Sequence, residues 1–224
     1  MSLTRSQVSE NILAYLEGEG SSPRRTPTAR YSSFDYCFNY FQGFRENGSL
    51  PLIASPAYLE QSCLQLGFYL ASWGMLRGSS TLLQHSSKSL EPLISAVAAT
   101  PHQLWEIDAN SYTDERITAL LDQASAFRRL IPGGASDTLV SKVLLGIYGS
   151  VPAFDSYFKR GIGVASFGPK ALRSVSRFYS EFADVIEEHR EATIDFKTGL
   201  PTTRLYTRAK VIDMIFFIEG SRML

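Results

Sequence analysis

The stretch that decides the fold is RLIPGGASDTLVSKVLLGIYGSVPAFDSYFKR, residues 129–160. The turn Ile131–Gly134 ends the helix before it, because a proline and two consecutive glycines do not continue a helix. Ser136 or Asp137 caps the next helix, which a glycine ends. After a short loop, Asp155 stands at or near the N-terminus of a third helix. The pattern predicts helix, turn, helix, short loop and helix.

Apolar residues recur at helical spacing along the rest of the chain. Val8, Ile12 and Leu16, for example, share one helix face, and no stretch alternates with period two for long. The sequence therefore predicts an all-α fold: a compact helical two-lobed domain with a helix-hairpin-helix element. The predicted helices cover residues 5–18, 33–47, 55–84 (where Gly78 is a possible break), 88–99, 113–130, 138–149, 154–160, 169–191 and 202–218.

Two segments of unequal length are predicted. Residues 1–30 form an N-terminal helix and a linker rich in glycine, serine, proline and arginine. Residues 31–224 form one helical domain, with the hairpin at about 127–150 and an acidic segment at 151–161. A chain of 224 residues suits one large domain or two small lobes.

The composition is that of an ordinary soluble globular protein, with 44% hydrophobic and 20% charged residues. The formal net charge is zero, so the chain as a whole carries no nucleic-acid signal. Between Asp137 and Phe178, however, six lysines and arginines stand against two aspartates. A local basic face is one interpretation, and a solvated helix surface of mixed charge is the other.

Cysteine and histidine usage argues against a metal or a disulfide. Cys37 and Cys63 lie in apolar or aromatic surroundings and are predicted to be buried reduced thiols. None of the three histidines has the spacing of a zinc motif, so we expect neither metal nor cofactor. The chain starts without a signal-peptide pattern, and no apolar run reaches the roughly 18 residues of a membrane span. We expect a cytoplasmic protein with no membrane partner.

The hairpin and the acidic segment together resemble the helix-hairpin-helix DNA glycosylase superfamily. In that family an LPGVG hairpin is followed by a helix and then by hPVDTHV.R; here IPGGAS and VPAFDSYFKR stand at these places. The 24 residues from Ile131 to Asp155 are close to the family's spacing. The second hairpin glycine is displaced, and AFDSYF replaces VDTHV. The resemblance covers about 30 residues well and the all-α architecture more loosely, and it implies a glycosylase-like domain over residues 31–224.

The resemblance gives Asp155 a catalytic role. Cleaving an N-glycosidic bond builds positive charge on the deoxyribose, and a fixed carboxylate stabilises that charge and orients a water. Asp155 is equally typical of an N-cap, worth about 1 kcal/mol, and both interpretations stay open. Family members that form a Schiff base carry a lysine where this sequence has Asp137, and Lys142 is the nearest lysine. The resemblance therefore implies a monofunctional enzyme that leaves an abasic site, with Lys142 contacting phosphate or solvent.

DNA is the implied partner, held by two groups of residues. Hairpin amides and basic side chains contact phosphates, whereas a base pocket needs aromatic faces with a few polar atoms. The candidates for the DNA backbone are Gly133, Gly134, Ala135, Lys142, Lys159, Arg160, Lys170 and Arg173. The candidates for the base pocket are Asp35, Tyr36, Asn39, Tyr40, Tyr69, Trp73 and Arg77, and the alternative for most of these aromatics is the hydrophobic core.

Two further functions stay open beside the enzyme. The chain is either a non-catalytic helical module that binds DNA, or a helical protein-interaction module. As an enzyme, its general character is similar to bacterial antiphage glycosylases that remove modified cytosines from phage DNA. The surroundings of Asp155 discriminate: a cap that faces solvent favours the modules, and a cleft floor ringed by aromatics favours the enzyme.

Overall fold

The computed structural model describes residues 3–18, 25–78 and 80–223, and helices dominate this part of the chain. The all-α prediction is confirmed, and none of the helices in these residues is long and apolar enough to cross a membrane. The helices are α1 (Arg5–Glu17), α2 (Ser32–Glu46), α3 (Leu59–Ser72), α4 (Glu91–Ala98), α5 (His102–Trp105), α6 (Asp114–Leu130), α7 (Asp137–Tyr148), α8 (Ser156–Ile162), α9 (Pro169–Glu181), α10 (Ala183–Glu188) and α11 (Arg208–Arg222). The strands are β1 (Ala192–Ile194) and β2 (Pro201–Leu205), and short 3-10 helices cover Leu50–Ala54, Thr81–Gln84, Ser87–Leu90 and Ala109–Ser111.

Several helices begin at a polar side chain that caps them. Thr113 accepts a hydrogen bond from the backbone N–H of Arg116 at the start of α6. Ser136 accepts one from the N–H of Leu139 at the start of α7. Each cap satisfies a backbone donor that the helix itself leaves unpaired. The predicted cap at Thr113 is confirmed, and Ser136 rather than Asp137 caps α7.

Two predicted helices are shorter than expected. Of the helix predicted over 55–84, the described residues form the α-helix α3 and the short 3-10 helix at Thr81–Gln84, and the chain leaves α3 at Trp73 and Gly74. Gly74 has a φ of 75°, in the left-handed region that ends many helices. The helix predicted over 169–191 divides at Phe182, whose buried ring lies in the core between α9 and α10.

The helix predicted over 202–218 is wrong at its start. Pro201–Leu205 is the strand β2, which pairs antiparallel with β1, and α11 begins only after it. The chain turns between the strands at Asp195, whose Oδ1 accepts hydrogen bonds from the backbone N–H groups of Lys197 and Thr198. The two strands therefore form a β-hairpin immediately ahead of α11.

Side chains of α2 hold this β-hairpin in place. Asp35 accepts a hydrogen bond from the N–H of Ile194 at 2.9 Å, and Asn39 donates to the Ile194 carbonyl at 2.9 Å. A two-stranded ribbon this short is not stable alone, so it depends on these partners. They lie more than 150 residues away in the chain, and the local pattern around 202 therefore does not reveal them.

The hydrophobic core is one continuous cluster of buried side chains, to which helices from α1 to α11 contribute. Val8 and Ile12 of α1 are fully buried in it, so the N-terminal helix packs with the rest of the protein. Cys37 and Cys63 lie in the same core as buried free thiols, as predicted.

Helix α8 lies against α11 with backbone close to backbone. A methyl group at Gly220 would overlap the carbonyl oxygen of Tyr157, and one at Gly161 would overlap the carbonyl oxygen of Phe216. Glycine permits this approach because it has no Cβ. The contact fixes α8 on α11, and with it the residue that precedes α8, Asp155.

We expect Gly220→Ala to destabilise the protein by about 2 kcal/mol or more, because the added methyl group meets a backbone atom that no rotamer change moves. Gly43→Ala is the matched control: Gly43 lies within α2, with nothing within 4 Å of an added methyl group. Alanine there improves helix propensity by up to about 1 kcal/mol. Urea unfolding of both variants measures the difference, and equal stabilities would contradict the close contact of α8 and α11.

Candidate functional site

An open cleft of about 910 Å³ lies where α7, α8 and α11 meet the segments that precede α2 and follow α3. Lys142 and Asp155, whose side chains are 5% and 15% exposed, form what we call its floor. The cleft is open to solvent at its rim, where arginine and lysine side chains lie. Its aromatic lining residues are Tyr31, Trp73, Tyr157 and Phe217.

Asp155 caps α8 and faces the cleft at the same time. Its Oδ1 accepts a hydrogen bond from the N–H of Phe158 at 3.0 Å, which is the N-cap bond of α8. Its Oδ2 lies 3.5 Å from Nζ of Lys142. Because one oxygen serves the helix and the other faces the ammonium group, the cap and the functional interpretation are compatible.

The segment before α8 is held by side chains from two helices. Ser141 of α7 accepts a hydrogen bond from the N–H of Phe154 at 2.8 Å, and Thr138 donates to the Phe154 carbonyl at 2.9 Å. Asp213 of α11 accepts one from the N–H of Ala153 at 2.9 Å. These bonds satisfy buried backbone groups and fix the direction in which the chain enters α8.

Lys142 is buried at the floor of the cleft. The residue is 4% exposed, and its ammonium group donates to the carbonyl oxygen of Trp73 at 2.9 Å. Burial lowers the pKa of Lys142, and the carboxylates of Asp155 and Asp213 oppose that shift. The structure corrects the predicted contact with phosphate or solvent: nearly all of α7 is buried, so a lysine in it finds its partners within the protein.

Asp137, which precedes Lys142 in α7, has a structural role. It pairs with Arg128 of α6 and accepts a hydrogen bond from the N–H of Phe167 at 2.9 Å. Burial alone would raise the pKa of Asp137, but the bonds from Arg128 and Phe167 lower it. This carboxylate ties the two helices of the hairpin to the segment before α9.

The hairpin turn lines a second depression, of about 930 Å³, on residues distinct from those of the cleft. Gly133 and Gly134 have φ angles of 74° and 78°, so the turn favours two consecutive glycines. The N–H of Gly134 donates to the carbonyl of Ile131 at 3.0 Å, and the carbonyl of Ala135 accepts from Arg128. Phosphate contacts at this turn stay a prediction. The N–H of Gly134 already donates to a carbonyl within the turn.

The predicted basic contacts lie on different parts of the surface. Lys159 lines the cleft. Arg160 donates to a backbone carbonyl of α11 at 3.1 Å and braces the contact between α8 and α11. Lys170 and Arg173 line another depression on α9, and Arg173 pairs with an exposed aspartate of α6 at 2.8 Å. Of these four side chains, Lys159 is the one that shares a site with Asp155.

The predicted base pocket is not assembled as one site. Trp73 and Arg77 line the cleft beside the floor pair. The other five residues do not line it, because they face the core or the β-hairpin; they are Asp35, Tyr36, Asn39, Tyr40 and Tyr69.

Asp35 is a structural carboxylate. It is fully buried, and its Oδ1 accepts a hydrogen bond from the hydroxyl of Tyr206 at 2.6 Å. Its Oδ2 accepts from Arg25 at 3.0 Å and from the N–H of Ile194. Burial raises the pKa of Asp35, and Arg25 opposes the shift. Both oxygens hold the β-hairpin and the segment before α2, so neither is directed to a base.

The remaining four residues have similar partners within the protein. Asn39 binds the β-hairpin, and Tyr36 donates to a backbone carbonyl of the segment before α2. The hydroxyl of Tyr40 lies 2.9 Å from that of Ser62. Tyr69 is buried, with its ring against α7. Tyr69 belongs to the core and Tyr40 packs against it, whereas Tyr36 lies outside the core with its ring against Phe196 in the turn of the β-hairpin.

Three cations rim the cleft: Arg30, Arg77 and Lys159. The guanidinium of Arg30 lies 5.2 Å and 5.3 Å from the ring centroids of Tyr31 and Trp73. Within residues 3–18, 25–78 and 80–223, none of the three makes an ion pair. Sequence reasoning missed Arg30 because it lies in the segment predicted as a linker, whose arginine content was the available signal. It also missed Tyr31, the first residue after that segment.

The described residues contain no metal-ligand set, and no known protein matches this chain. Among the residues that the structure describes, no group of three or more histidine, cysteine, aspartate or glutamate side chains could hold a metal ion. Comparison with known proteins finds no matching family model, no matching curated protein and no matching solved structure.

We expect Asp155→Ala to be less stable than Asp155→Asn by about 1 kcal/mol, because asparagine still accepts the N-cap bond of α8 and alanine does not. Both variants leave Lys142 without its carboxylate, so the difference between them isolates the cap. Urea unfolding at pH 7 measures it. An asparagine variant as unstable as the alanine variant would mean that the cap contributes nothing.

Proposed function

We propose that the protein is a DNA glycosylase that removes a damaged or modified base by hydrolysing its N-glycosidic bond and leaves an abasic site. The observation that carries the proposal is the Asp155 carboxylate, fixed at the start of α8 with its Oδ2 3.5 Å from Lys142 on the floor of a cleft. The cleft is lined by aromatic rings and rimmed by cations. The motif resemblance at the hairpin and at the acidic segment supports the same function.

The charge of the cleft supports an anionic ligand. Its floor pair is neutral in sum, so the rim cations Arg30, Arg77 and Lys159 leave an excess of positive charge on a protein that is formally neutral overall. Neutralising backbone phosphates is the main sequence-independent source of affinity for nucleic acid. The rim cations suit the anionic phosphates of a DNA backbone. The carboxylate of Asp155 suits a reacting carbon that becomes positive in the transition state.

In the proposed reaction, the Asp155 carboxylate acts on the deoxyribose. When the C1′–N bond breaks, the electron pair leaves with the base, and positive charge develops on C1′ and the ring oxygen. A fixed carboxylate stabilises that charge and orients the water that attacks C1′. The water oxygen bonds to C1′, and its proton passes by way of Asp155 to the departing base.

The aromatic lining supports recognition of an unstacked base. Enzymes that act on a base in DNA take it out of the stack and hold it against aromatic faces. Tyr31 and Trp73 lie 5.1 Å apart between ring centroids, and both rings contact Phe217 edge-on. Tyr157 packs edge-on against the same Phe217, so the four rings form one aromatic surface that lines the cleft. Trp73, from the set predicted for the base pocket, lines this surface together with three rings from outside that set.

We expect the wild-type protein to produce abasic sites on at least one modified DNA, and Asp155→Asn to lower the rate at least about 100-fold, as loss of a group that stabilises transition-state charge does. The substrates are oligonucleotides with single lesions or modified bases, and phage genomes with hypermodified cytosine. Hot alkali converts abasic sites to strand breaks. Asp184→Asn removes an exposed carboxylate of α10 and is the matched control, with wild-type activity expected.

Two results would contradict this proposal. Absence of strand breaks on every substrate would exclude the activity. Undiminished activity of Asp155→Asn would remove the carboxylate from the chemistry. Salt-sensitive DNA binding without abasic sites would favour the non-catalytic DNA-binding module, and no DNA binding at any salt concentration would favour the protein-interaction module.

The position of Lys142 favours a second candidate, a glycosylase that also forms a covalent intermediate. Its Nζ faces Asp155, and burial lowers its pKa, which increases the fraction of neutral amine. The amine attacks C1′ and forms a C–N bond as the base leaves with its electron pair and a proton. The C1′–O4′ bond of the sugar then breaks, the ring oxygen takes up a proton from solvent, and the nitrogen lone pair forms a protonated imine with C1′. This differs from the monofunctional enzyme that Asp137 at the family's lysine position implies.

This second candidate predicts that borohydride traps a covalent adduct of the wild-type protein with its substrate DNA, and that Lys142→Gln gives none. Lys197→Gln, in the turn of the β-hairpin, is the control and still gives the adduct. Denaturing gel electrophoresis of the trapped products measures the result. Abasic sites without any adduct would identify water as the nucleophile and support the monofunctional enzyme.

A further inference from the structure

A second pair of opposite charges, Lys210 and Asp213, lies close to the floor of the cleft in the first turns of α11. Nζ of Lys210 is 3.1 Å from Oδ2 of Asp213, and the two side chains are 2% and 9% exposed. Taking two charges out of water is costly. The chemistry proposed for Asp155 and Lys142 uses neither residue, so the pair needs another reason.

Lys210 orients the carboxylate of Asp213. Its Nζ also donates to the hydroxyl of Tyr15 at 2.8 Å and lies 4.5 Å and 4.8 Å from the ring centroids of Tyr15 and Phe34. These contacts fix the ammonium group on the Oδ2 side of Asp213. The other oxygen, Oδ1, is then presented to the N–H of Ala153, which donates to it at 2.9 Å.

The hydrogen bond between Asp213 and the N–H of Ala153 holds the segment that leads to Asp155. Ala153 lies two residues before Asp155, and the next residue, Phe154, is bound by side chains of α7. Helix α7 also carries Lys142. The separation between Asp155 and Lys142 therefore depends on a segment that α7 and α11 hold together.

Asp213 also contributes to the charge around Lys142. The charged groups that face Lys142 are Asp155 at the start of α8, Asp213 on α11 and Arg77 in the segment after α3. Burial lowers the pKa of Lys142 most, the two carboxylates raise it, and Arg77 lowers it. Asp213 thus favours the ammonium form of a lysine with which the structure gives it no direct contact.

We propose that Asp213, oriented by Lys210, is a positioning residue of the cleft, which holds the N–H of Ala153 and so sets the separation between Asp155 and Lys142. The consequence for catalysis rests on the proposed glycosylase function, whereas the contacts themselves do not. Two variants separate the hydrogen bond from the charge. Asp213→Asn keeps an acceptor oxygen and removes the charge, and Asp213→Ala removes both.

The first experiment needs no substrate. Nuclear magnetic resonance of protein with isotope-labelled lysine follows each ammonium group through a pH titration, and Lys142→Met identifies the signal of Lys142. We expect Lys142 to titrate at lower pH in Asp213→Asn than in the wild type, because a carboxylate that raises its pKa is gone. Asp184→Asn is the control and leaves the titration unchanged.

Hydrogen exchange tests the positioning itself. We expect the amide of Ala153 to stay protected in Asp213→Asn and to lose protection in Asp213→Ala, because only asparagine still accepts its hydrogen bond. Equal protection of Ala153 in both variants, or an unchanged titration of Lys142 in Asp213→Asn, would overturn the proposal. If the single variant does not fold, Lys210→Met with Asp213→Asn removes both buried charges. A shift of Lys142 in the same direction but smaller is then expected, because the loss of the Lys210 cation opposes part of the effect.

The second experiment measures turnover on the substrate that the wild-type protein cleaves. We expect Asp213→Ala to lower kcat about 100-fold with KM little changed, because displacement of a reacting group by about 1 Å costs a factor of this size. Asp213→Asn recovers part of the loss. An unchanged kcat in Asp213→Ala would overturn the effect on catalysis. If the wild-type protein makes no abasic sites, the glycosylase proposal fails, and hydrogen exchange with the titration decides the role of Asp213.

Discussion

The hydrogen bonds that hold the buried segment 150–154 are the constraint on which the rest of the site depends. Loops usually lie at the surface, because buried backbone groups need partners. Here the partners are side chains: Ser141 and Thr138 from α7, Asp213 from α11, and Tyr112, whose hydroxyl donates to the Ser150 carbonyl. Leaving one such buried group unsatisfied costs about 1–3 kcal/mol, so the segment has little freedom to move. Asp155 follows this segment directly, so its backbone position is fixed as well.

The charges around this segment are arranged so that each ammonium group has its own carboxylate. Lys142 faces Asp155, and Lys210 faces Asp213. Burial raises the pKa of Asp213, Lys210 lowers it, and the nearby Asp155 raises it again. Removing any one member leaves a buried charge without its partner, which is far more costly than the loss of an exposed ion pair. The four charges cancel, so the positive character of the cleft comes from the cations of its rim, Arg30, Arg77 and Lys159.

Features that depend on neighbouring residues could be predicted from the sequence, and features that depend on distant ones could not. The caps at Thr113 and Ser136 follow from the preference of short polar side chains for helix starts. The β-hairpin escaped prediction because its partners, Asp35 and Asn39, come from α2. Lys142 was misplaced because its surroundings are set by α8, α11 and the end of α3, which no local pattern describes.

The same limit applies to the aromatic residues of α2 and α3. Their helical spacing shows which side chains share a face, but it does not show what each face meets. Trp73 lies at the end of α3 and reaches the cleft, whereas Tyr69, one turn earlier, packs its ring against Gly146 of α7. The choice between core and cleft is therefore made by tertiary packing, even between residues of one helix.

The capping bond of Asp155 and its orientation towards the cleft depend on the same geometry, and comparison with Asp108 shows why. Asp108 is also a capping aspartate, but its Oδ1 accepts from the N–H groups of Ala109 and Ala209, and its Oδ2 accepts from the N–H of Arg208. Backbone donors occupy both of its oxygens, and it is a structural cap alone. In Asp155 one backbone donor fixes one oxygen, which removes the rotational freedom of the carboxylate before any ligand arrives. The second oxygen faces Lys142 in the cleft, so the capping bond orients the carboxylate on which the proposed chemistry depends.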